Sequence, residues 1–71
     1  MTNTRMKDVE NAKEIILKEL PETWSREMID GEYRWSSVLS PLTRRRALKA
    51  LMAEGLVERK LGDVAWLRRT Q

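Results

Sequence analysis

Apolar residues recur at helical spacing through the first part of the chain. Val9, Ala12, Ile16, Leu17 and Leu20 share one face of a helix spanning about Arg5 to Leu20, with Met6 one turn earlier. Lys7, Glu10, Lys13, Glu14 and Lys18 lie largely off that face, and Glu14 precedes Lys18 by four residues, the favourable order for a surface pair. Pro21 ends this helix, because the residue before a proline avoids the α region. The next stretch is less periodic. Thr23-Trp24-Ser25 suits a short strand or a helix start, Ser25 is a candidate cap for a helix through Arg26-Glu27-Met28-Ile29, and Asp30-Gly31 marks a stop or a turn. Glu32 to Leu39 reads as a short helix or a partly extended segment. At least one helix is expected within residues 25–38, with Trp24, Met28, Ile29, Tyr33, Trp35, Val38 and Leu39 mostly in the core.

Ser40 to Gly55 has both a start and a stop signal. The Ser40 hydroxyl suits an N-cap, Pro41 sits at the first helical position where its missing N–H costs nothing, and Gly55 supplies the left-handed residue that closes many helices. Leu48, Leu51 and Met52 form the expected buried stripe. Thr43, Arg46, Ala50 and Ala53 then point outward, and the small residues, Ala47 included, permit close approach to another surface. Arg44, Arg45 and Arg46 stand near the positive end of the helix dipole, a placement disfavoured by a few tenths of a kcal/mol each. A bound phosphate relieves that cost, and the free amides at the helix start also favour an anion.

Beyond Gly55, Val57-Glu-Arg-Lys-Leu61 and Val64-Ala-Trp-Leu-Arg68 flank Gly62-Asp63 and predict a β-hairpin with a two-residue type II′ turn. That register places Leu61 opposite Val64, Arg59 opposite Trp66 and Val57 opposite Arg68, so that Arg59 stacks on Trp66. Lys60, Arg68 and Arg69 give the ribbon positive charge.

Charge sharpens this picture. Residues 1–35 carry six basic and eight acidic side chains, whereas residues 36–71 carry eight basic and three acidic ones, a net −2 against +5 in a chain of net +3. A basic half points to nucleic acid or an acidic surface. The 71 residues make one small domain, 1–71, without cysteine or histidine, which removes disulfides, thiolate metal sites and the usual general base. No carboxylate pair stands beside a nucleophile, no metal-ligand spacing occurs and no glycine-rich phosphate loop is present. A non-enzyme without cofactor or metal is therefore expected. No apolar run is long enough to span a bilayer and the start lacks the apolar stretch of a signal peptide, so a cytoplasmic location is expected.

Ser40-x-x-Thr43-x-x-Arg46-Ala47-Leu48-x-x-Leu51-x-x-x-Gly55-Leu56-Val57-Glu58-Arg59 resembles the recognition helix and wing of the winged helix-turn-helix fold, as in regulators of the MarR type. The likeness covers about residues 36–69. It implies an α+β, mostly helical domain of three helices with a C-terminal β-hairpin wing, in which helix 41–54 enters the major groove of double-stranded DNA and hairpin 57–69 reaches the backbone or minor groove. Carried over by position, Ser40, Thr43, Arg44, Arg46 and Lys49, with Arg45 in the same cluster, fall on the recognition helix. Arg59, Lys60, Arg68 and Arg69 fall on the wing. The position after Thr43 is usually apolar in that family, and here it is Arg44.

The resulting expectation is a small transcriptional regulator binding duplex DNA sequence-specifically, through a homodimer or with a partner protein, and without a membrane or small-molecule substrate. Two alternatives stay open. One is a protein-interaction module for an acidic partner. The other is a single-stranded nucleic-acid or RNA binder using Trp66 or Trp35 as a stacking platform.

Overall fold

Two helices pack against a three-stranded antiparallel sheet whose middle strand is the last in sequence. The computed structural model describes the backbone of residues 2–70 and the side chains of residues 8–70; Arg5, Met6 and Lys7, on the expected first helix, therefore lie outside the described side chains. The elements are α1 (Thr2–Glu19), β1 (Ser25–Arg26), β2 (Met28–Ile29), β3 (Glu32–Tyr33), α2 (Pro41–Ala53), β4 (Val57–Leu61) and β5 (Ala65–Arg69). One sheet has the order β1-β5-β4, and β2 and β3 form a separate two-stranded hairpin. Among the described residues no helix is long and apolar enough to cross a membrane.

The class is α+β, but the expected three-helix winged helix-turn-helix is not formed. Among the described residues only two helices are present, and the place of the third is taken by strands and one tight turn. Three causes account for this. Ser25 and Arg26 pair with Leu67 and Trp66 of β5, so Ser25 is not a helix cap; its hydroxyl donates instead to the Thr23 carbonyl at 3.3 Å. Asp30 and Gly31 both have positive φ, 51° and 84°, the signature of a type I′ hairpin turn that joins Met28–Ile29 to Glu32–Tyr33. Pro41 then forbids helical backbone at Ser40, which is extended at φ −65°, ψ 153°. Between Tyr33 and Ser40 there is room for one helical turn, in which the Val38 and Leu39 amides both donate to the Trp35 carbonyl.

That turn buries Trp35 and Leu39 against the helices. The core is Ala12, Ile16 and Leu20 of the α1 region, Trp35 and Leu39, Ala47, Leu48 and Leu51 of α2, Val57 of β4 and Leu67 of β5. Several residues expected inside are not there. Met28, Ile29, Tyr33, Val38 and Met52 are exposed, and Trp24 is half-buried. Ala47, expected on a flank of α2 that a partner surface approaches, is instead fully buried. A short hairpin such as β2–β3 has no second layer to cover its side chains, which accounts for the first three.

The ends of α2 form as its punctuation implies. Ser40 Oγ accepts from the Thr43 amide at 3.3 Å and its hydroxyl donates to Thr43 Oγ1 at 2.8 Å. At the other end the Gly55 amide donates to Met52 and the Leu56 amide to Leu51, with Gly55 at φ 76°. This is a Schellman closure, in which glycine takes the left-handed position without a Cβ penalty. Leu56 thereby turns back onto the core.

The ribbon register differs by one residue from the two-residue turn. Val57 lies opposite Arg69, Glu58 opposite Arg68, Arg59 opposite Leu67, Lys60 opposite Trp66 and Leu61 opposite Ala65. A type II′ turn needs positive φ at its first central residue; Gly62 does not have it, and the loop is Gly62-Asp63-Val64. The slip exchanges every cross-strand pair. Arg59 is carried to the face of Leu67 and away from Trp66, so the expected Arg59–Trp66 stack does not form.

Lys13 of α1 ties the two helices by donating to Glu54, just past the end of α2, at 2.5 Å, and lies 3.6 Å from Glu10. The hydrogen bond to Glu54 is the main cause that holds the Lys13 ammonium above its ordinary pKa of 10.5; partial burial opposes it and Glu10 adds to it. A cation whose pKa is raised by folding stabilises the fold fully below the unfolded value and loses that contribution as pH climbs through the folded value. Urea unfolding is therefore expected to show wild-type stability falling above pH 10.5, with a shallower fall in Glu54→Gln. Equal alkaline slopes in the two proteins would show that the pair contributes nothing.

Candidate nucleic-acid interface

The basic residues of the second half separate into two groups once their neighbours are known. On α2, Arg45, Arg46 and Lys49 are exposed, and among the described residues none has a carboxylate within ion-pair distance. The opposite side of the helix is closed onto the core through Ala47, Leu48 and Leu51, so these three cations stand on a rigid rod and point to solvent. Ser40 is exposed and Thr43 half-buried, and their hydroxyls are engaged with each other in the cap.

Arg44 goes the other way. It is 6% exposed and its guanidinium lies 3.8 Å from the centre of the Tyr33 ring, a stacked cation–π contact. The residue at this point of α2 faces inward whatever its type, because its neighbours on the same face are Ala47, Leu48 and Leu51. Its place four residues before Leu48, nearer the buried side of the helical wheel, was the sequence signal for that burial.

On the ribbon, pairing decides what is available. Arg59 donates Nε to Oε1 of Glu27 at 2.9 Å and Nη2 to Oε2 at 3.5 Å. Glu27 is 5% exposed, so this is a largely desolvated carboxylate with one arginine holding it. Arg69 donates to the Leu20 carbonyl at 3.1 Å and approaches Glu22 at 3.9 Å, and its amide donates to Pro21. Arg69 thus fastens the end of β5 to the loop after α1. Arg68 pairs with Glu58 at 2.6 Å.

The outer face of the three-stranded sheet carries a feature absent from the sequence reading. Lys60 Nζ and Arg68 Cζ lie 4.6 and 4.7 Å from the Trp24 ring centre. Alternation along the paired strands places Trp24, Arg26, Glu58, Lys60, Trp66 and Arg68 on one side, away from buried Leu67 and Val57. The spacing of Trp24 and Arg26 on either side of Ser25 was the available signal, once Ser25–Arg26 is known to be a strand. Of the two tryptophans considered for stacking, Trp66 is half-buried on this face and Trp35 is sealed in the core.

Between α2 and β4 lies a cleft of about 290 Å³, walled by Glu27, Tyr33, Arg44, Arg45, Leu48, Met52 and Arg59. Among the described residues no group of acidic side chains could hold a metal ion. The chemistry on offer at this surface is cationic and hydrogen-bond donating.

No protein-family model matches the chain, and neither a curated protein nor a solved structure shows significant similarity to it.

Removing Arg59 leaves Glu27 buried without its partner. Arg59→Ala is expected to lower stability by about 1–3 kcal/mol, toward the low end because Arg59 is itself part-exposed. In a thermal melt this appears as a drop of roughly 4–8 °C per kcal/mol for a domain of this size. Arg46→Ala, which touches no carboxylate, should leave the midpoint unchanged. An undiminished midpoint for Arg59→Ala would return that side chain to the pool available for a ligand.

Proposed function

We propose that the protein binds double-stranded DNA sequence-specifically, as a small transcriptional regulator, with the exposed side of α2 presented to the major groove and the ribbon beside the backbone. The observation that carries this reading is the set Arg45, Arg46 and Lys49. They are exposed and free of carboxylates among the described residues, and they stand on a helix anchored to the core along its other side. An α-helix fits the major groove, and arginine is the usual bidentate reader of guanine. Phosphate neutralisation supplies most of the affinity.

The residue roles are narrower than the basic composition suggests. Arg46 is the base reader. Arg45, Lys49 and Lys60 contact phosphates. Thr43 and Ser40 set the start of the helix, and Arg44, Arg59 and Arg69 hold the scaffold that presents it. A chain of this size spans few base pairs, so a second copy or a partner protein completes a specific site.

The outer sheet face favours a second reading, single-stranded nucleic acid, because Trp24 and Trp66 lie there among Arg26, Lys60 and Arg68. Stacked bases and a cationic track are the two requirements of such binding. Competition between duplex and single strand separates the readings: duplex that displaces single strand at equal nucleotide concentration favours α2, and the reverse favours the sheet.

For duplex binding, Arg46→Ala is expected to cost about 1–3 kcal/mol on the preferred sequence and to flatten the preference. Lys60→Ala is expected to weaken preferred and scrambled duplexes alike and to reduce the log–log salt slope by about 0.9. Gel-shift titrations at two salt concentrations read both effects. Equal losses on both duplexes for Arg46→Ala would remove base reading from α2.

A further inference from the structure

The cleft between α2 and β4 contains an arginine whose N–H donors the fold does not use. Arg44 is 6% exposed, yet among the described residues its guanidinium has no ion-pair or side-chain hydrogen-bond partner. Among the described residues no fully buried side-chain nitrogen lacks a partner, so the Arg44 nitrogens retain contact with solvent through the cleft they line. A guanidinium has five N–H donors, and with no protein acceptor at hand those of Arg44 are left to the solvent of the cleft. Tyr33 covers one face of its plane at 3.8 Å and leaves the donor edge as the only part able to meet a ligand.

Two further arginines share the cleft. Arg59 is matched by Glu27. Arg45 is exposed at the rim and has no carboxylate among the described residues. One carboxylate against three arginines leaves the cleft with two uncompensated positive charges. A carboxylate or a phosphodiester carries one negative charge. A phosphate monoester carries about two, with three acceptor oxygens, and its geometry suits the planar fork of arginine. The volume, about 290 Å³, admits such a group.

We propose that this cleft is a binding site for a terminal phosphate monoester, gripped by Arg44 and Arg45 with Arg59 and Glu27 as its fixed wall. The ligand comes either from a free phosphorylated small molecule or from the 5′-phosphate of a nucleic-acid end. The site does not depend on duplex readout by α2.

The test uses the full chain and inorganic phosphate as probe, with ionic strength held constant by sodium chloride. ¹H–¹⁵N NMR should show saturable shifts concentrated at the Arg44 and Arg59 Nε–H groups and the Tyr33 amide. Arg44→Met should weaken binding by about tenfold or more. Because Arg44 is buried, exposed Arg45→Ala is the second variant, expected to weaken binding by roughly threefold or more with an unchanged thermal midpoint. Unsaturable shifts spread equally over Arg26, Arg46 and Lys49, or unchanged phosphate affinity in Arg45→Ala, would overturn the proposal. Competition identifies the source. If a short duplex displaces phosphate only when it bears 5′-phosphates, the site takes nucleic-acid ends. If neither form displaces it, or both do so equally through Arg45, the site takes a free phosphorylated compound. Loss of duplex readout in Arg46→Ala leaves the phosphate titration intact, so the two ideas fail separately.

Discussion

A carboxylate kept out of water must be satisfied by the protein, and Glu27 is the group on which the arrangement of this molecule depends. Its side chain takes two hydrogen bonds from Arg59 of β4. Its amide donates to Ala65 at the start of β5, and its carbonyl accepts from Arg34 in the turn that leads toward α2. One residue thus joins both strands of the ribbon to the segment that carries Trp35 into the core. It lies between β1 and β2, so it also marks the point where the chain leaves the three-stranded sheet. A half-buried ion pair of this kind adds modestly to net stability, because desolvation of Glu27 offsets the attraction, but removing Arg59 leaves that carboxylate unpaired, which is costly.

The same residue sets the electrostatics. By holding Arg59, it removes one cation from the outside. Arg69 is tied down by the Leu20 carbonyl and approaches Glu22, and Arg68 is partly neutralised by Glu58. The basic half of the chain therefore presents far less free charge than its composition implies, and what remains free is concentrated on α2. Concentration on one rigid element matters more for recognition than total charge, because the field of scattered, paired cations falls off within a Debye length.

The parts of the fold legible in the sequence are those governed by neighbours close in the chain. Ser40, Pro41 and Gly55 bound α2 through bonds spanning three to five residues, and Pro21 bounds α1 in the same way. What could not be read depends on distant partners. The ribbon register turned on a one-residue difference in the loop at Gly62, and that difference reassigned Arg59 from Trp66 to Glu27, 32 residues away in sequence. The missing helix turned on β1 finding β5, some forty residues later. Asp30-Gly31 was a local signal that admitted two meanings, and only pairing of its flanks distinguishes a hairpin from a helix stop. For the candidate site, the cationic character of α2 was legible. The inward turn of Arg44 was legible as well, four residues before Leu48 on the buried side of the helix.

The strand order carries a consequence for how the molecule comes into being. β5 lies between β1 and β4 and contributes Leu67 to the core, yet it is the latest of the described elements to be synthesised. Until it emerges, β1 has no partner, Arg59 has no closed wall to lie against, and the two helices face water along the side that Leu67 will cover. Closure of the sheet by β1 comes late and depends on partners some forty residues apart, the kind of contact that slows folding and leaves a vulnerable interval before closure.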